Sequence, residues 1–116
     1  MITSRKRLFE LLDSVFPARE NGFSGAKTMP PMPYMEYGFS GSDNTPADNR
    51  VRARVENYYI ELCSKTRTAQ ADRKTLEAAF YANDLFWQKT GETPLKELDA
   101  LLSTYEISIY IKESEE

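Results

Sequence analysis

The chain opens with a helical pattern: Leu8, Leu11, Leu12, Val15 and Phe16 fall at i, i+3, i+4, i+7 and i+8. Thr3 or Ser4 can cap this helix and Pro17 marks its end. Phe9 lies off the stripe and is read as widening its core face. From Ala18 to Pro33 the periodicity is lost among two glycines and three prolines, which predicts a long loop, with Phe23, Met29 and Met32 able to pin it to the body.

The pattern then turns β-like. Tyr34 to Phe39 is a short aromatic run, Ser40 to Asn49 is polar and turn-forming, and Val51 to Cys63 has strand composition. Together they predict a large hairpin with a big polar tip over 40–50. Val51, Ala53 and Val55 alternate in one phase and Tyr58, Ile60 and Leu62 in the other, so a bulge is expected near Glu56 or Asn57. Arg50, Arg52 and Arg54 then line one face of the outer half as a basic stripe.

Helical spacing returns over Thr68–Asn83, with Ala69, Leu76, Ala79 and Phe80 on the buried side. Leu85–Lys89 reads as a short strand with Phe86 and Trp87 on opposite faces, and Thr90-Gly91-Glu92-Thr93-Pro94 as a turn. Leu95, Leu98, Leu101 and Leu102 suggest a short helix. Tyr105, Ile107, Ile109 and Ile111 alternate with Glu106, Ser108 and Tyr110 in a final half-buried strand, before a charged tail over 112–116 that is expected to fray. The prediction is a single α+β domain of order α-β-β-α-β-β, a mainly antiparallel sheet with a long hairpin and two helices packed on one face.

Composition narrows the chemistry. The chain has no histidine, which removes a Ser-His-Asp triad, a Cys-His pair and imidazole zinc sites. Cys63 ends a strand-like run and reads as a packed residue of a reducing compartment. A net charge of -3 with dispersed Lys and Arg argues against a binder of nucleic-acid backbones. No stretch approaches the roughly 20 apolar residues of a membrane span, and no apolar core follows Arg5, Lys6 and Arg7 as it would in a secretion signal.

The remaining motifs resolve to bland readings. Glu97 with Asp99, and Glu113 with Glu115 and Glu116, lie in polar surface segments where nothing raises a carboxyl pKa for acid-base work. Gly38 to Asn44 lacks the Gly-Lys-Ser/Thr ending of a phosphate loop. Asp43, Asn44, Asp48 and Asn49 do not follow the calcium-loop spacing, and Asx-turn capping accounts for them. The seven Tyr and six Phe lack a positive groove for stacking on bases, so core and protein interface are their expected homes. No catalytic, cofactor or metal residue is assigned.

The segment Pro31-Met32-Pro33-Tyr34-Met35-Glu36-Tyr37, then Asp43-Asn44, Ala47-Asp48-Asn49, Val51 and the Tyr59-Ile60-Glu61-Leu62 strand end, resembles a small family of phage and prophage head-tail joining and tail-completion proteins. The resemblance extends over Leu8 to Ile111 and departs from the family pattern between Trp87 and Tyr105. It implies a non-enzymatic structural protein of the tail terminator or neck type, working in the virion after assembly in the host cytoplasm. It also implies a ring, six-fold by the same resemblance, that docks to tail tube and head connector proteins and lets DNA pass. A closing ring needs two different, complementary patches on each subunit. The residues expected to form contacts are Tyr34, Glu36, Tyr37, Phe39, Asp43, Asn44, Asp48, Asn49, Arg50, Arg52 and Arg54. The alternative from a different class is a small adaptor or regulatory domain that binds a protein or peptide along a sheet edge.

Overall fold

A computed structural model of the chain describes residues 2–22, 30–43, 45–47 and 50–112, with 45–47 and 50–53 described as backbone. Helix α1 spans Arg5–Val15 and α2 spans Ala69–Ala82. The strands are β1 (Ala18–Glu20), β2 (Tyr34–Ser42), β3 (Thr45–Ala47), β4 (Arg50–Ala53), β5 (Val55–Lys65), β6 (Phe86–Leu95) and β7 (Ala100–Tyr110). The main sheet has the order β1-β2-β5-β7-β6, while β3 and β4 form a separate two-stranded sheet. β1 pairs parallel with β2 and the other main-sheet pairs are antiparallel, so the sheet is mixed.

Both helices pack on one face of this sheet. Leu8 and Leu12 of α1, and Leu76 and Phe80 of α2, are fully buried against Met35, Tyr58, Ile60, Leu62, Tyr105 and Ile107. The register explains why these residues meet: Met35 lies opposite Leu62, Tyr58 opposite Ile107 and Ile60 opposite Tyr105, so the period of two aims all of them at the helices. Phe80, Trp87 and Tyr105 pack edge to face or tilted with centroids 5.6–5.8 Å apart, a favoured aromatic geometry. Tyr105 also donates its hydroxyl to Glu77 Oε2 at 2.6 Å, which satisfies the one polar atom this ring carries inward. Ser4 caps α1 by accepting from the Arg7 amide, as its sequence position predicts. Phe9 packs on Tyr37 at 4.5 Å and edge to face on Tyr58 at 5.7 Å, widening the core as expected.

The α+β class and a main sheet with both helices on one face agree with the sequence reading, but the separate β3–β4 sheet and the element order do not. The predicted 18–33 loop holds β1, where backbone pairing from Pro17 to Asn21 recruits three residues too few to show a period. The predicted tip contains β3 and the start of β4. The long 51–63 run is two strands interrupted at Arg54, where the chain crosses between sheets; this break resolves the change of phase, and the bulge sits on the facing strand between Phe39 and Gly41. Thr90–Pro94 is not a turn but the outer half of β6, with a bulge between Lys89 and Gly91. That extra residue sets Lys89 and Glu92 on one face, where they form an ion pair that Arg73 of α2 joins at 3.5 Å. Pro94 is tolerated because β6 is an edge strand. The predicted leucine helix is a single 3-10 turn, Lys96–Leu98, closed by Asp99 at φ 50°, and β7 begins already at Ala100. The leucines match a helical period by coincidence, since Leu101 and Leu102 take opposite faces of a strand. Phe23, Met29 and the 112–116 tail beyond Lys112 lie outside the described residues.

Candidate protein-interaction site

Two regions stand apart from the core: the β3–β4 arm with its base, and the sheet face that carries no helix. The arm leaves the main sheet where β2 and β5 stop pairing. The Asp43 amide donates to the Val55 carbonyl at 3.0 Å and closes the base, after which β3 and β4 pair only with each other. The C-terminal end of the sheet braces the same point, with the Ile111 amide on the Arg54 carbonyl and the Lys112 amide on the Thr3 carbonyl.

At the centre of the base is Glu56, a carboxylate only 5 % exposed. Arg5 of α1 grips it with two hydrogen bonds, Nε to Oε1 at 2.8 Å and Nη2 to Oε2 at 3.1 Å, and the Tyr58 hydroxyl donates to Oε1 at 2.6 Å. Arg54 adds a longer contact at 3.9 Å. The Arg5 hydrogen bonds, opposed by burial and aided by Tyr58, hold the Glu56 carboxyl below its ordinary range. Burial, then the Glu56 contact, pushes the Tyr58 phenol up. Arg5 also lies over the Phe39 ring at 5.6 Å, so its planar guanidinium is held by a fork below and an aromatic face beside it. The first turn of α1, the start of β5 and the outer half of β2 are thereby linked.

The opposite sheet face is different in kind. Its positions on β5 and β7 include Asn57, Tyr59, Glu61, Thr104, Glu106, Ser108 and Tyr110, half-buried or exposed, and no described helix or strand covers them. Phe86 and Tyr110 are exposed there at 65 % and 59 %. Glu36 and Glu61 stand directly opposite on neighbouring strands. Burial, then the negative charge of Glu36, raises the Glu61 carboxyl, and burial with the same acidic neighbours raises the Tyr59 phenol. The outer end of the Tyr59 ring lies against Gly38, where a Cβ would stand 2.7 Å from it, so glycine is what lets the ring settle onto the strand. Near the arm base the face carries a chain of hydrogen bonds, Ser108 to Asn57 at 2.6 Å and Asn57 to Asp43 at 2.8 Å.

The residues expected from sequence to make contacts therefore divide among several environments. Tyr34 and Glu36 are half-buried on the open face, where burial and then the Cys63 thiol push the Tyr34 phenol up to about 12. Tyr37 is buried against Phe9, a core position, because β2 alternates and Tyr37 shares the Met35 side. Phe39 is half-exposed under Arg5, Asp43 stands at the arm base, and Arg54 turns toward Glu56. Arg50 and Arg52 lie on the arm backbone in β4, while Asn44, Asp48 and Asn49 lie outside the described residues. The sequence reading overlooked Arg5, Glu56, Tyr59 and Glu61. Glu56 was legible only as the acid at the change of phase, and its partner is 51 residues away.

Clefts on the described surface include one of about 650 Å³ lined by Ile2, Ser4, Lys6, Arg7, Glu10, Leu11 and Asn83, and one of about 480 Å³ at Pro94–Leu98. Among the described residues no helix is long and apolar enough to cross a membrane. No protein-family model matches the chain, and no curated protein matches it.

Proposed function

We propose that this protein is a structural component of a long-tailed phage or prophage, a tail terminator or head-tail joining protein that assembles into a ring at the head-tail interface. The observation that carries the reading is the arm: a two-stranded extension whose strands pair only with each other, mounted on a base cross-linked by Arg5, Glu56 and Tyr58. A hairpin that gains nothing from the main sheet is marginal by itself, so a rigid mount suits an element that completes its packing against another protein. The resemblance at Pro31–Tyr37, Ala47–Asn49 and Tyr59–Leu62 supplies the specific partners. The adaptor reading, which needs peptide addition along a sheet edge, is less well supported, since β6 is blunted by a bulge and Pro94 and β1 is three residues long.

Replacing Asn44–Ala53 by a short glycine turn between Asp43 and Arg54 tests the proposal. The variant is expected to keep the wild-type circular dichroism spectrum, to lose the rings seen by negative-stain microscopy with the cognate tail tube, and to leave tails incomplete. Rings and finished tails from the armless protein would refute it.

A further inference from the structure

The protein has two unlike outer layers, helices on one side and an open sheet face on the other, and their charges are opposite where each is most exposed. On the open face Glu61 and Glu106 flank Tyr59, Phe86 and Tyr110. The basic residues at described strand positions of this face, Lys65 at a strand end and Arg19 on β1 opposite Glu36, stand at its margins. Glu61 has no hydrogen-bond or ion-pair partner among the described residues, although it is partly desolvated and faces Glu36 across the strand pair. On the helix layer, Lys6 and Arg7 are exposed in the first turn of α1, with no acidic residue in that turn. Basic side chains oppose the helix dipole at that end, and neither has an ion-pair partner among the described residues. With Glu10 they border the 650 Å³ cleft between α1 and the end of α2.

We infer that the open sheet face of one copy docks on the α1 end of the helix layer of the next, with Glu61 and Glu106 meeting Lys6 and Arg7. This rests on the ring reading above and deepens it by naming the two surfaces. Charge selects a second copy placed head to tail, because two open faces laid together would set Glu61 and Glu106 against their own kind. A contact between different patches is also the kind that closes into rings. The area suffices. Strands about 4.8 Å apart and about ten residues long at about 3.3 Å each give β2, β5, β7 and β6 a face on the order of 600 Å². That approaches the roughly 800 Å² per partner of a standard interface. Aromatic rings beside carboxylates are well suited to receive Lys and Arg, by stacking and by ion pairing together.

Charge reversal reads this out. Glu61→Lys, with Glu106→Lys as an independent exposed variant, and the double change Lys6→Glu with Arg7→Glu are compared with wild type by sedimentation and light scattering at low salt, after circular dichroism shows each folded. Each reversal is expected to weaken self-association by about tenfold or more, and salt is expected to weaken the wild type in the same way. An equimolar mixture of Glu61→Lys with the Lys6→Glu/Arg7→Glu protein is expected to associate again, since both junctions of an alternating assembly then pair opposite charges. Wild-type association unmoved by the reversals, no rescue in the mixture, or a wild type that stays monomeric at low salt while completing tails would each overturn the inference and leave the ring-docking reading of the arm in place. Failure of that reading looks different: neither rings nor tail completion from the unaltered protein.

Discussion

Glu56 and Glu61 stand on one strand, five residues apart, and face opposite sides of the sheet. Glu56, on the helix side, is almost fully enclosed and receives Arg5 twice and Tyr58 once. Glu61, on the open side, looks across at another glutamate and keeps its charge at a cost. The same residue type thus fastens the fold at one place and burdens it at the other. A buried charge persists where partners satisfy it, whereas a half-buried one facing its own kind is penalised.

The strongest way to break the contrast is to remove the satisfied carboxylate. Glu56→Ala strands the Tyr58 hydroxyl and releases Arg5, and is expected to destabilise by about 2 to 4 kcal/mol. Arg5 is half-exposed and recovers solvent, which keeps the cost below that of a fully buried pair. Urea unfolding measures it, and a change below about 0.5 kcal/mol, the range of an ordinary surface substitution, would show that the cluster is ornamental. A smaller effect is expected from Gly38→Ala, where the new Cβ displaces the far end of the Tyr59 ring: about 1 kcal/mol, checked by Tyr59 ring resonances that shift while those of Tyr58 stay.

The sign reverses at Glu61. Glu61→Gln relieves the repulsion with Glu36 and is expected to stabilise the monomer by about 0.5 kcal/mol while weakening self-association. A destabilised monomer would mean that Glu61 has a favourable role in the fold. Acid sharpens the comparison without changing a partner. Glu56 binds its proton less readily when folded, so its contribution is complete above the ordinary value of 4.5 and is lost as pH falls through the lower folded value. Glu61 binds its proton more readily when folded, so its contribution is present below 4.5 and is lost as pH rises through the higher folded value. Denaturant midpoints measured between neutral and acid pH are therefore expected to fall less steeply in Glu56→Gln than in wild type, and more steeply in Glu61→Gln. Equal slopes in the two variants would remove the distinction.

Much of the architecture was legible because it rests on local periods. The alternation from Tyr105 to Ile111 buries every residue its spacing selects, and the helical stripes bury Leu8, Leu12, Ala69, Leu76 and Phe80 while Leu11, Val15, Phe16 and Ala79 are half-buried. The errors cluster where local signals are ambiguous. Thr90-Gly91 carries turn chemistry and serves as a bulge, and four leucines suit a helix as well as a strand. Of the expected contact residues, Tyr37 shows the limit: its side of the sheet depends on register with β5, and register is a pairing between distant segments.

The amino-acid order by itself determined the two helices, the β character of 34–39 and of much of 51–63, the class, and the absence of histidine chemistry, because each follows from spacing or composition within a short window. Only the tertiary structure decided that the chain leaves the sheet at Arg54 to make an arm, that Arg5 reaches Glu56 across 51 residues, and that Glu61 is left facing Glu36. Those are meetings of residues far apart in the chain, and their energies depend on burial and on which partners arrive, quantities that no local pattern encodes.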